Sequence, residues 1–375
     1  MHQQPFIRSG GVEGFRCARL KLFTVGPVAC YPEVLEEMGR QMYSHRSEEY
    51  IALHYETVEL LQRFIETEDP VFLFSSTGSG FMEASVRNCV RKRMICCVNG
   101  SFGKRFAEVA AACGRAVERL EPPLGEPVQP DMLEDVLAGS PEAEAVAITH
   151  NETSAGLINP LRELAAAAKA HGKLVFVDAV SSMGGAEIKV DEWGIDVCFS
   201  SSQKCFGVPP GLAIGSVSGE ALRLSEGAAD KGWYFDFKLW EAYHERGVGT
   251  PMTSVIPQVA GLNRALKLIE ERGGKSWYFD LYRERNTRIR RGVERLGLST
   301  FPRRGYESPT VSCVKAPEGA KGPAIYEGMR GRGFELAEGY GALSETTFRI
   351  GNMGHIEMGD IDLMLGALGE VLEDL

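Results

Sequence analysis

The run Lys173-Leu-Val-Phe-Val-Asp178-Ala-Val-Ser-Ser182 decides how the fold is read. Four apolar residues in a row, with no alternation, are the pattern of a strand covered on both faces, as in a parallel sheet. The run stops at a carboxylate. Open α/β sheets hold their ligands at the C-terminal ends of strands, so Asp178 is a candidate site residue as well as a candidate turn former or helix cap. The next such run lies in Ile195-Asp-Val-Cys-Phe-Ser-Ser-Ser-Gln-Lys204-Cys-Phe-Gly-Val-Pro-Pro-Gly-Leu-Ala-Ile-Gly-Ser-Val217, where Val197-Cys198-Phe199 leads to Lys204 and a Pro-Pro-Gly break leads to a second apolar run. An amine held there and partly shielded from water has its pKa lowered towards the free base that attacks a carbonyl. Lys204 reads as a Schiff-base lysine, against the plainer reading of a surface lysine after a strand.

Upstream of Asp178 the pattern alternates: strand 71–74, helix 80–91, strand 94–98, helix 103–113, strand 116–120, helix 130–138, strand 145–150 and helix 160–170. Strand and helix alternating at this spacing predict an α/β fold, a mostly parallel sheet with helices on both faces. Before it come a short extended segment turning at Gly26-Pro27 and two helical patterns running to about Glu68. Beyond Val217 the order changes to helical patterns at 254–272 and 276–296, sparse strands at 310–314 and 347–350, and helices at 322–331 and 359–373. The expected organisation is an N-terminal extension over 1–21, a large domain over 22–272 and a smaller α+β domain over 273–375, divided near Gly273-Gly274.

With 375 residues, 44% of them hydrophobic, the chain can bury a sizeable core without disulfides or a metal. A net charge of −10 argues against nucleic acid and anionic membranes as partners, because both select basic surfaces. No apolar stretch reaches transmembrane length, and the first residues lack the continuous apolar core of a signal peptide. The nine cysteines (17, 30, 89, 96, 97, 113, 198, 205 and 313) include no C-x-x-C pair and sit mostly in apolar runs, which points to a reducing compartment and a cytoplasmic location.

Three further polar loops follow strands. Ser75-Ser-Thr77-Gly78-Ser79-Gly80-Phe-Met-Glu83 enters a helix with glycines and hydroxyls, which suits a phosphate cradled by backbone amides. A dinucleotide fingerprint fits poorly, since Glu83 stands at the third glycine position; a Walker A loop is excluded by the missing Gly-Lys-Ser/Thr; a ligand-free capped helix remains open. Asn99-Gly-Ser-Phe102-Gly103 offers an aromatic face to a planar ligand, or a phenylalanine that anchors the loop. Thr149-His-Asn-Glu-Thr153-Ser-Ala-Gly156 is dense in groups able to hydrogen-bond a ring and its oxygen. One such loop is an ordinary turn, but several on one sheet edge read as a site. An acid and an amine at neighbouring strand ends are what pyridoxal 5′-phosphate requires, because the acid keeps the pyridine nitrogen protonated. A non-catalytic binding module has no chemical need for that pair.

In this order the motifs resemble class V of the fold-type-I, pyridoxal phosphate-dependent aminotransferases, the group with alanine–glyoxylate, serine–pyruvate and 2-aminoethylphosphonate–pyruvate transaminases. The resemblance runs from about Leu22 to the C-terminus through Thr-Val-Gly-Pro (24–27), residues 76–84, 99–103, 149–156, 177–182, Ser-Ser-Gln-Lys (201–204) and Phe-Arg-Ile-Gly-Asn-Met-Gly (348–354). It implies that Lys204 binds the cofactor and moves the proton, and that Asp178 pairs with the ring nitrogen. Thr77, Gly78, Ser79 and Gln203 match phosphate-binding positions, Thr153 the contact to the ring oxygen, Phe102 the ring-stacking aromatic and Arg349 the arginine for the substrate carboxylate. Thr250 and Thr253 match positions that reach a partner subunit's phosphate, which implies a homodimer with shared sites.

The expected reaction is ping-pong transfer from a small amino acid, alanine or serine, to glyoxylate or pyruvate. The alternative is 2-aminoethylphosphonate–pyruvate transamination, which needs a second cation; Arg46, beside His45, is the one candidate for it. A lyase or desulfurase of the same superfamily is disfavoured, because no cysteine lies between Lys315 and Arg349.

Overall fold

The computed structural model describes residues 20–375. Of the expected extension, residues 1–19 lie outside the described residues. Seven strands form the main sheet, in the order Val71–Phe74, Ala213–Val217, Val197–Ser201, Leu174–Asp178, Ala145–Thr149, Arg93–Cys97 and Ala116–Leu120. Only Ala213–Val217 runs against its neighbours, and the other pairings are parallel. The α/β class and the mostly parallel sheet are therefore as expected.

Side chains alternate across a strand, and here both faces are covered. Leu73, Ile95, Val146, Ile148, Val175, Val177, Cys198 and Ile214 pack into one core, while Phe72, Phe74, Met94, Cys96, Ala147, Phe176, Phe199 and Ala213 pack into the other. That double burial is why these strands appear as unbroken apolar runs. The second core is rich in aromatic rings, with Phe74 and Phe81 stacked at 4.4 Å and Phe74 at 4.5 Å from Trp240. Gly215 leaves the room that the Phe81 ring occupies, which draws the helix Gly78–Cys89 onto the sheet.

A third core gathers Phe23, Ile289, Val293, Phe334, Phe348, Ile350 and the apolar face of the helix Met358–Glu373 around the small antiparallel sheet Val311–Lys315, Thr347–Gly351 and Ala337–Glu338. The helix Gly274–Arg295, which starts at the expected division, serves two cores: Tyr278 and Tyr282 belong to the first, Ile289 and Val293 to the third. Lys21–Leu22 pairs in parallel with Phe334–Glu335. The first described residues thus lie with the C-terminal sheet, from where Thr24–Gly26 cross to Lys204.

Helices Gly219–Glu226 and Phe237–Glu245 and the two-residue ladder Asn151–Glu152 with Leu157–Ile158 are absent from the sequence expectation. Among the described residues no helix is long and apolar enough to cross a membrane, and all eight cysteines are unpaired.

Candidate active site

Register brings three strand ends level: Thr149 lies opposite Asp178, and Asp178 opposite Phe199. Asp178 is buried, with Oδ1 accepting from the Val180 N–H at 2.9 Å. Burial pushes its carboxyl up to about 7, helped by the charge of Glu152 and opposed by the Val180 hydrogen bond, Lys204 and Arg105. An aspartate that holds its proton this strongly is matched to a partner that brings a positive charge or a proton of its own.

Lys204 is likewise buried, and its Nζ donates to the Val25 carbonyl at 2.6 Å. Burial lowers it to about 8, and the charge of Arg349 is the next influence in the same direction. The strap Thr24-Val25-Gly26 lies directly on the lysine. Gly26 has φ +115°, and a Cβ on it would come within 2.6 Å of Lys204 Nζ, so glycine is required for the crossing. Behind the lysine, Tyr278 and Tyr282 on the helix Gly274–Arg295 both donate to the carbonyl of Cys205, Tyr282 at 2.8 Å.

The phosphate-like loop enters the helix Gly78–Cys89 with Thr77 at its N-cap, its hydroxyl making no capping bond. The Gly78 N–H already donates to Ser201 Oγ at 2.7 Å, and a Cβ on Gly78 would meet Val180 at 2.6 Å. The loop therefore packs tightly on the strand ends. Ser79 N–H and the hydroxyls of Thr77 and Ser79 are what it offers an anion.

The run 149–156 works differently from its expectation. Glu152, fully buried, accepts from the N–H groups of Phe102 (3.0 Å), Gly103 (3.1 Å) and Ser154 (3.0 Å), and so caps the helix Ser101–Ala112 as a carboxylate suits a helix N-terminus. Asn151 Nδ2 is held by Ser181 and Thr310. Thr153 Oγ1 lies 2.7 Å from Ser181 Oγ, while Thr149 Oγ1 and His150 Nδ1 are buried with no partner among the described residues. Glu152 and Asn151 thus hold the frame, because a buried polar loop must satisfy most of its own groups.

Arg349 is 6% exposed, with Nε donating to Glu338 O (2.9 Å) and Nη1 to Thr153 O (3.2 Å). Its guanidinium carbon lies 5.5 Å from the Tyr340 ring centre. The Phe102 ring lies parallel to Tyr340 at 6.0 Å, with Arg105 4.8 Å from the Phe102 centre. Sequence reasoning missed Arg105 and Tyr340, although Arg105 stands three residues after Phe102 on one helix, a spacing that puts both on one face.

Arg46, the candidate second cation, is tied to the loop at 248–251. Its guanidinium donates to the carbonyls of Val248, Thr250 and Pro251, so it clamps that loop. His45 is half-buried beside it. Thr250 is buried with its hydroxyl on Met252 O at 2.6 Å, whereas Thr253 is exposed. Cys205 and Cys313 are buried and pushed up to about 12 and 11, which leaves no thiolate for desulfurase chemistry at either position.

The residues fit pyridoxal 5′-phosphate. Gln203 Oε1, Thr149 Oγ1, His150 Nδ1 and Ser182 Oγ are buried without a partner among the described residues, all at or beyond the ends of adjacent strands. Buried polar atoms are rarely orphaned, and a polar ligand seated at this edge accounts for a cluster of them. Burial also pushes His150 down to about 3, which makes it a neutral ring able to accept or donate a hydrogen bond.

Comparison with known proteins agrees. The family model described as aminotransferase class-V matches residues 30–297. An uncharacterised aminotransferase of Methanocaldococcus jannaschii is 33% identical, over 89% of this chain and 87% of its own. An L-aspartate–glyoxylate aminotransferase of Paracoccus denitrificans is 30% identical, over 89% and 86%. The crystal structure of an alanine–glyoxylate aminotransferase from Nostoc sp. superposes with a TM-score of 0.91 at 29% identity, covering 96% of this chain and 97% of that one. With the acid, the amine and the hydroxyl-lined loop on one sheet edge, the chain belongs to the class-V aminotransferases, enzymes that depend on pyridoxal 5′-phosphate.

Proposed function

We propose that this enzyme moves the amino group of a small α-amino acid, alanine or serine, to glyoxylate or pyruvate, taking the two substrates in turn at one site. The observation that carries the reading is Arg349, a buried guanidinium whose charge is felt at Lys204. It is a planar two-pronged donor for a carboxylate beside the reacting carbon.

The cofactor, when bound, supplies a carbonyl that takes up the amino group and a ring that draws electrons from the substrate's Cα. The chain supplies the rest. Lys204 Nζ, a free base at mildly alkaline pH, holds the cofactor and then carries the proton away from the substrate's Cα. Asp178 holds the proton of the ring nitrogen. Thr77, Ser79 and Gln203 would receive the phosphate, with Gly78 allowing its close approach; Phe102 would cover the ring and Thr153 would hydrogen-bond its oxygen. Thr253, exposed in the single chain, reaches the partner's phosphate in a homodimer, and Thr250 holds that loop in shape. Sedimentation of the purified protein as a monomer alone would remove this part of the reading. We assign the protein to the cytoplasm on its unpaired cysteines.

The test is a single-turnover screen that follows the cofactor's visible absorption with alanine, serine and aminoethylphosphonate. Arg349→Ala should slow alanine and serine by roughly tenfold to a hundredfold, the worth of a charged hydrogen-bond pair. Fastest conversion by aminoethylphosphonate, or unchanged alanine and serine rates in the variant, sinks the assignment.

A further inference from the structure

Arg105 lies on the helix Ser101–Ala112, and its one side-chain hydrogen bond among the described residues goes from Nη2 to Tyr340 Oη at 3.2 Å. Its neighbour Lys104 has a carboxylate within reach, Glu108 at 3.7 Å, whereas Arg105 has none among the described residues. A half-buried guanidinium with no carboxylate beside it is suited to an anion. Its location is the informative part. The Arg105 charge bears on both Asp178 and Lys204, and its guanidinium covers Phe102.

Tyr340 joins this cation to Arg349. Arg349 lies over the tyrosine ring at 5.5 Å and Arg105 meets its hydroxyl. Two arginines thus flank a single side chain, one over the ring and one at the hydroxyl end. The loop that carries Tyr340 is seated on the same helix. Gly341 has φ +62°, and a Cβ there would come within 2.7 Å of Ser101 Oγ. Tyr340 itself is 40% exposed, so its hydroxyl can also meet a ligand.

We infer that Arg105 and Tyr340 form a second anion subsite, which receives the distal carboxylate of a dicarboxylic amino donor while Arg349 holds the α-carboxylate. The inference rests on the transaminase reading and extends it from alanine and serine to donors of the aspartate type. A short donor suits the site, because only one tyrosine separates the two cations. A neutral donor leaves Arg105 to water.

Calorimetric titration of the cofactor-loaded protein with succinate and with propionate reads the subsite without turnover. Succinate should bind about tenfold tighter or more, as two charged pairs against one require. Arg105→Gln should remove that advantage, and Arg105→Lys, which keeps the charge but not the fork, should keep part of it. In turnover with glyoxylate, Arg105→Gln should lower kcat/KM for aspartate at least about tenfold more than for alanine. Equal binding of the two acids to the wild type, or equal losses on the two donors, overturns the subsite. If no amino acid passes its amino group to glyoxylate or pyruvate, the transaminase reading fails. If alanine does and aspartate does not, that reading stands and the subsite alone is wrong.

Discussion

Asp178 shows how a single buried residue can oppose stability. An unfolded aspartate releases its proton near 3.8, while folded Asp178 keeps it to about 7 because burial disfavours the charge. Between those values the native chain holds a proton that the unfolded chain has lost. Native stability therefore falls as pH rises through that window and levels off above about 7. Asp178→Asn removes this slope. The cofactor-free variant should melt above the wild type at pH 8 and match it more closely near pH 4, yet turn over roughly tenfold to a hundredfold more slowly, the worth of a charge-assisted hydrogen bond to the ring. Thermal melts across pH, set beside steady-state rates, check both halves; a variant that melts lower at pH 8 would show that the carboxylate stabilises the empty site. At this scale Asp178 and Lys204 were legible in the sequence, because each stands where an apolar run stops. Glu152 was not: besides Ser154 its partners are backbone N–H groups of residues 102 and 103, about fifty positions away, and nothing local tells a capping carboxylate from a ligand-facing one.

The strands and helices of the main sheet were read to within about two residues, since burial on both faces writes itself as unbroken apolar runs. The short ladders and the helices Gly219–Glu226 and Phe237–Glu245 carry no such run. The loop–helix unit at Gly78 gives the prediction for this scale. Gly78→Ala places a methyl 2.6 Å from Val180 and 2.9 Å from Ser201 Oγ, so the loop must lift from the strand ends. The cost to stability should be about 1–3 kcal/mol, the usual range for overpacking. Cofactor affinity should fall with it, because the Ser79 N–H moves with the loop. Equilibrium dialysis of the cofactor measures this, and an affinity equal to wild type would mean that the loop does not hold the phosphate. The tyrosine pair on Gly274–Arg295 had no sequence signal at all, since Tyr278 and Tyr282 meet Cys205 across 73 and 77 residues.

For the molecule as a whole, the first described residues matter more than their position suggests. Phe23 is 1% exposed in the C-terminal core, its ring 6.1 Å from Phe334. Phe23→Ala should cost about 3–5 kcal/mol, as for a buried phenylalanine elsewhere. Hydrogen exchange should then speed up first in Val311–Lys315 and Thr347–Gly351, with the seven-stranded sheet less affected; uniform loosening would mean that the cores do not part there. The same segment has a consequence for how the protein is made. A ribosome delivers Phe334 more than three hundred residues after Phe23, a wait of roughly 15–60 s at about 5–20 residues per second. Until then the strap has no sheet to join, and the Val25 carbonyl is not fixed over Lys204. A nascent chain that has reached only the seven strands therefore still lacks the fixed strap over Lys204, which makes the segment around Phe334 a checkpoint between the folding of the main sheet and the completion of this edge.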